Sequence, residues 1–221
     1  MLVAIALAVL PWFAATRHDP ESELALITSA ALIGLLAAGS GVVAESLDDG
    51  WYGIGLLHGL TPLGFLVGEA LGAAVGLLVA LGAFAILSSG ALRDVPVLTL
   101  VLCGAWMSVL VSAWLAIMLW LGTLLPGKGN AIAMIPMLVA FAFPPTALPV
   151  ESWPPALARV ARSAWSAMPL QTHAWAIYAS LLHHSTPPAA APIALLLAPP
   201  SFLGLAGLRL TRLEAARRLT A

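Results

Sequence analysis

Charge is what this sequence has least of. Only 9% of its residues are Asp, Glu, Lys or Arg, against about 25% in soluble globular domains. With 61% hydrophobic residues over 221, a soluble fold of this size lacks the polar surface to cover its apolar mass. A formal net charge of −1 excludes a general attraction to nucleic acid. There is one cysteine, Cys103, inside an apolar run, which excludes a disulfide framework and a paired-cysteine metal site. No H-E-x-x-H, no G-x-S-x-G and no converging carboxylate pair lies within an apolar run. The chain is therefore read as no enzyme. Gly122-Thr123-Leu124-Leu125-Pro126-Gly127-Lys128 has the spacing of a phosphate-binding loop, but Gly129 stands where Ser or Thr is needed. No strand precedes it in a βαβ unit, so ATP-driven work would need another subunit.

What the sequence has is long apolar stretches. Crossing about 30 Å of hydrocarbon takes about 20 mostly apolar residues. Every backbone polar group inside that layer must be paired within the segment, which favours helices. Six runs qualify: residues 2–16, 24–44, 62–87, 95–125, 131–148 and 189–208. They do not alternate as barrel strands do. The first ends in Ala14-Ala15-Thr16, like a signal peptide's apolar core. No positive residue precedes it and the next run begins at Leu24, so it is read as a span. The expectation is an all-α, polytopic membrane bundle of six helices forming one permease domain over residues 1–221.

The connections carry the polarity. Residues 149–188 form the largest segment outside the runs, and residues 209–221 a basic tail that can form a helix. Six spans put both termini on one face. Arg209, Arg212, Arg217 and Arg218 follow the last run directly, which places that face in the cytoplasm. Lys128 shares it, whereas Arg17, Arg93, Arg159 and Arg162 fall outside.

Glu45-Ser46-Leu47-Asp48-Asp49-Gly50-Trp51-Tyr52 stands where the second run ends. Such acids ordinarily mark only a solvated loop. Here Asp49-Gly50 makes a turn into Trp51, Tyr52, Ile54, Leu56 and Leu57, an amphipathic segment with aromatics at headgroup level. Thr61-Pro62 then supplies an N-cap and a proline at the first helical position. This order resembles the membrane subunits of type-2 ATP-binding-cassette (ABC) exporters, whose second span ends in a cytoplasmic acid…Asp-Gly segment that touches the ATPase. The far end agrees. Leu148-Pro149-Val150-Glu151-Ser152-Trp153-Pro154-Pro155 resembles the start of that family's re-entrant outer segment. Met168-Pro169-Leu170-Gln171-Thr172 stands where an Asn-Pro-Leu-Thr pattern is usual.

The resemblance implies a permease that pairs with a second copy, a homodimer or a close paralogue, in the cell inner membrane. Two ATP-binding ABC subunits would dock beneath it. No cofactor is expected in this chain, because ATP and Mg belong to the ATPases. Glu45, Asp48, Asp49, Gly50, Trp51 and Tyr52 would form the ATPase-coupling segment. Three features depart from the family. Gly53 or Gly55 stands where a glutamate usually follows Asp-Gly, Glu69 lies where a basic residue is common, and no N-terminal amphipathic connecting helix is read. The haem-exporter permease of cytochrome c maturation shares the size and the Asp-Gly segment, and would give His173, His183 or His184 a role. An intramembrane enzyme or a non-transporting structural subunit is the third alternative.

Three further features are weighed. Glu69 lies about two turns into the third run, where an unpaired charge costs at least about 2.5 kcal/mol; the bland alternative is a partner near the interface. The tryptophans and histidines of the outer segment fit two short amphipathic helices dipping into the outer leaflet. His183 and His184 are adjacent and point in different directions on a helix, unlike converging zinc ligands. Gly64, Gly68, Gly72 and Gly76 line one helix face for close packing. Pro136 would kink the fifth span.

Overall fold

The computed structural model describes residues 20, 24, 28, 31, 32, 35, 50–71, 92, 95–124, 154–166 and 169–220. Among these, all regular secondary structure is α-helix: α1 (Trp51–Leu57), α2 (Pro62–Leu71), α3 (Val97–Leu124), α4 (Pro155–Ser166), α5 (Pro169–Leu182) and α6 (Ala190–Thr220).

The helix α3 answers to the fourth apolar run almost residue for residue. Its 28 residues extend about 42 Å at 1.5 Å each, more than the hydrocarbon layer requires. It is apolar on every side, which suits a buried core helix or one bathed in lipid. One flank is buried through Cys103, Met107, Leu110 and Met118, while Val97, Leu98 and Val101 stay exposed. Its hydroxyls do not stay free: Ser108 donates to the Gly104 carbonyl at 2.9 Å and Ser112 to the Ser108 carbonyl at 2.8 Å.

The sixth run and the basic tail prove to be one element. The tail is helical as its composition allows, and it continues the span without a break: α6 runs through Arg209 and Arg212 to Thr220. Leu, Arg, Ala and Glu are good helix formers, and no breaker separates them from the apolar part. Pro199 and Pro200 sit inside α6. Lacking N–H groups, they leave the carbonyls of Leu195 and Leu196 without their usual helical donors. Helix α3 and the stretch Ala190–Ala215 of α6 are the two described helices long and apolar enough to cross a membrane.

These two pack most extensively on each other, and α5 lies against both. Leu110, Leu119, Ile177, Tyr178, Leu195 and Leu210 are buried where they meet. Trp120 and Phe202 bring α3 and α6 together, with ring centroids 5.5 Å apart. At residues 24, 28, 31, 32 and 35 the chain is helical and buried, a spacing that keeps all five on one face. The other residues of the second expected span, residues 72–87 of the third, and the whole of the first and fifth lie outside the described residues.

Two short helices do occupy the segment between the fifth and sixth expected spans, but they differ. Helix α4 is amphipathic and exposes Leu157 and Val160. Helix α5 buries Gln171, Ala174, Ile177 and Tyr178 within the bundle, while Thr172, His173 and Trp175 on its other side stay half-buried. Packing against two apolar helices removes the buried face from any lipid or water interface.

Candidate functional site

Gly50 opens a helical hairpin formed by α1 and α2. Gly50 has φ of 76° and ψ of 4°, the left-handed region that a side chain enters only at a cost. Its carbonyl accepts the first helical bond of α1, from the Ile54 N–H at 3.1 Å. The far end closes as a Schellman motif. Gly59 takes φ of 82°, its N–H donates to the Leu56 carbonyl at 3.0 Å, and the Leu60 N–H donates to the Gly55 carbonyl at 3.0 Å.

The chain then turns into α2 as the sequence predicts. Thr61 is the N-cap: its Oγ1 accepts from the Gly64 N–H at 3.0 Å, and its carbonyl accepts from the Phe65 N–H at 2.9 Å. Pro62 sits at the first helical position, where its missing N–H costs nothing. The two helices are keyed together by Tyr52 and Phe65, both buried, with ring centroids 5.1 Å apart and planes at 77°. Gly55 lies under the same contact, where an added Cβ would make ordinary contact with Leu60 Cδ1 at 3.4 Å and Phe65 Cδ2 at 3.6 Å. Outward, Ile54, Leu57, Leu60 and Leu63 are exposed, the apolar side that an interfacial helix presents to lipid.

Of the residues expected to couple to an ATPase, Gly50, Trp51 and Tyr52 therefore form the start of α1. Glu45, Asp48 and Asp49 lie outside the described residues. Glu69 is half-buried on α2 and interacts with its surroundings, about 10 Å along the axis from Pro62. Of the glycine stripe, Gly64 and Gly68 are exposed, and Gly72 and Gly76 lie outside the described residues. A close helix approach occurs instead at Gly207 of α6, where a Cβ would stand 3.5 Å from Leu63 Cδ1. His183 and His184 are exposed at the end of α5. His184 takes φ of 52° as the left-handed residue of a second Schellman motif, closed by the Ser185 N–H donating to the Ser180 carbonyl at 2.8 Å. Its position thus follows from helix termination.

One set of polar residues escapes the sequence reading. Thr28 Oγ1, Tyr178 Oη and both amide atoms of Gln171 are buried without a hydrogen-bond partner among the described residues. Leaving such a group unpaired costs about 1–3 kcal/mol. The signal that could have revealed the set is the spacing of Gln171, Ala174 and Tyr178, which shares one helix face. Comparison with protein-family models, with curated proteins and with solved structures finds no match to this chain.

Proposed function

We propose that the chain is the membrane-spanning permease subunit of an ATP-driven exporter of the type-2 ABC kind. It would be a six-span bundle in the inner membrane with cytoplasmic termini, working as a dimer on two separate ATPase subunits. The observation that carries this reading is the hairpin of α1 and α2. Directly after Asp48-Asp49, the sequence builds a short helix that begins at left-handed Gly50, closes on a Schellman motif and is joined to the next helix by buried aromatic rings. A short element so tied transmits a push instead of absorbing it.

The mechanism follows from that stiffness. Closure of the ATPases would press on residues 45–52. The load would pass through Tyr52 and Phe65 into α2, and from Leu63 to α6 at Gly207. The work is a shift between inward- and outward-facing populations. Moving such an equilibrium from 1:99 to 99:1 takes about 5.5 kcal/mol of differential binding, which ATP held by the partner subunits would supply. The apolar, nearly uncharged helices favour a lipid-like or hydrophobic cargo over a sugar polymer.

Purification in mild detergent tests the reading. An ATPase with Walker motifs should accompany the chain, and its hydrolysis should respond to the permease. Replacing Asp48 and Asp49 with alanine should weaken docking or coupling without preventing insertion. If no ATPase co-purifies, or if coupled hydrolysis in the double variant matches wild type, the transport assignment fails.

A further inference from the structure

Helix α6 changes chemistry along one side without a break in its backbone. Leu205 and Leu208 are exposed, and so are Arg209 and Arg212. Each arginine stands four residues after one of the leucines, so all four share a face. Gly207 and Leu210, on the other side, are buried against the bundle. Glu214 is the single acid after Glu151. It follows Arg212 by two residues and so points away from the arginine face. The level of the change fits a bilayer. About 20 residues cross about 30 Å of hydrocarbon; counted from Ala190, the first residue of α6, they end at Arg209. Arg212 stands about 4.5 Å further along the axis and Arg217 about 12 Å, whereas a headgroup layer is about 5–7 Å deep. Arg209 and Arg212 therefore fall at headgroup level, directly beyond exposed leucines at acyl-chain level.

We propose that this face of α6 binds an anionic phospholipid of the surrounding leaflet, its phosphate on Arg209 and Arg212 and an acyl chain along Leu205 and Leu208. Charge and shape select this occupant. The guanidinium fork matches a phosphate, and arginine stems lie along apolar surface while their heads reach the headgroups. An anionic surface attracts such juxtamembrane basic residues. A second copy of the chain fits the face less well, because a two-fold interface brings the same patch of both subunits together and would set arginine against arginine. The inference rests on α6 crossing a bilayer and not on the transport reading.

The test uses the purified full chain in phosphatidylcholine nanodiscs, doped with photoreactive phosphatidylglycerol or with photoreactive phosphatidylcholine of the same acyl chains. The phosphatidylglycerol probe should label residues 201–215 more strongly, and the excess should shrink as salt is raised. One arginine near an anionic surface contributes about fivefold in binding, so the excess should fall about fivefold in R209Q and in R212Q, further in the double variant, and return in R209K/R212K. R217Q/R218Q removes equal charge beyond the headgroup layer and should keep most of the excess. Melting in pure phosphatidylcholine shows that each variant is folded, and the two single variants decide should the double variant melt early. Equal labelling by both probes, an excess unchanged in the folded glutamine variants, or an equal fall in R217Q/R218Q would overturn the proposal. The second result would assign the arginines to a soluble protein partner. The sample holds no ATPase, so the outcome stands whether or not one co-purifies with the chain.

Discussion

The Tyr52 ring stands edge-on to that of Phe65, 5.1 Å away and tilted by 77°, and this contact fixes the angle between α1 and α2. Edge-to-face pairs at such a distance contribute about 0.5–1.5 kcal/mol beyond the area they bury. Phe65→Ala should cost about 3–5 kcal/mol. Tyr52→Leu and Phe65→Leu keep most of the volume, so a double-mutant cycle isolates the ring contact, with a coupling of about 0.5–1.5 kcal/mol expected from unfolding in detergent. Additive losses would mean that the rings are neighbours and nothing more.

The left-handed residues give predictions of opposite sign. Gly50 and Gly59 need φ of 76° and 82°, so alanine at either should destabilise by about 1–2 kcal/mol. Gly53 lies inside α1 with open space around its would-be Cβ, so Gly53→Ala should stabilise by up to about 1 kcal/mol. His184 already bears the left-handed strain at φ of 52°, and His184→Gly should relieve about 1 kcal/mol of it. Thermal melts of the four variants check the set. A gain for Gly59→Ala or a loss for His184→Gly would contradict the capping geometry.

What could be seen in the sequence divides along physical lines. Helix α3 was legible because a long apolar run with breakers at its ends has few alternatives. The turn at Gly50 and the cap at Thr61 were legible because glycine after aspartate, and threonine before proline, each carry a local mechanism. The helical tail was legible from its composition, but its continuity with the span was not, since the change from apolar to basic reads as the end of a span although it does not end a helix. The burial of α5 was also hidden. Its tryptophan, tyrosine and histidine suit an interface as well as a core, and only packing against α3 and α6 decides between them. Gln171 and Thr28 were lost for a related reason, because isolated polar residues in apolar company do not announce which face they take.

Gly207 tests how tightly α6 meets the start of α2. A Cβ there stands 3.5 Å from Leu63 Cδ1 and 4.0 Å from Leu63 Cα, so alanine makes ordinary contact and should be tolerated. Leucine has nowhere to go without moving backbone, and Gly207→Leu should cost about 1–3 kcal/mol. Leu63→Ala should restore part of that loss, because it clears the neighbouring side chain. Failure of the rescue would show that the two helices do not meet here in solution.

Membrane topology separates six crossings from two. If only α3 and α6 cross, residues 48 and 93 share one face, and residues 128 and 185 share the other. With six crossings, residues 62–87 separate the first pair and residues 131–148 the second. Faces then alternate, with 48 and 128 inside and 93 and 185 outside. Cys103 is the only native cysteine and is fully buried, so Cys103→Ala provides a clean background for single cysteines. In that background Arg93→Cys and Ser185→Cys should react with an impermeant maleimide in intact cells, while Asp48→Cys and Lys128→Cys should react only after the cells are opened. Reaction of residue 48 from outside would remove the ATPase-facing hairpin from the cytoplasm. Reaction of residues 48 and 93 from the same face would reduce the third apolar run to a hairpin that enters the membrane without crossing it.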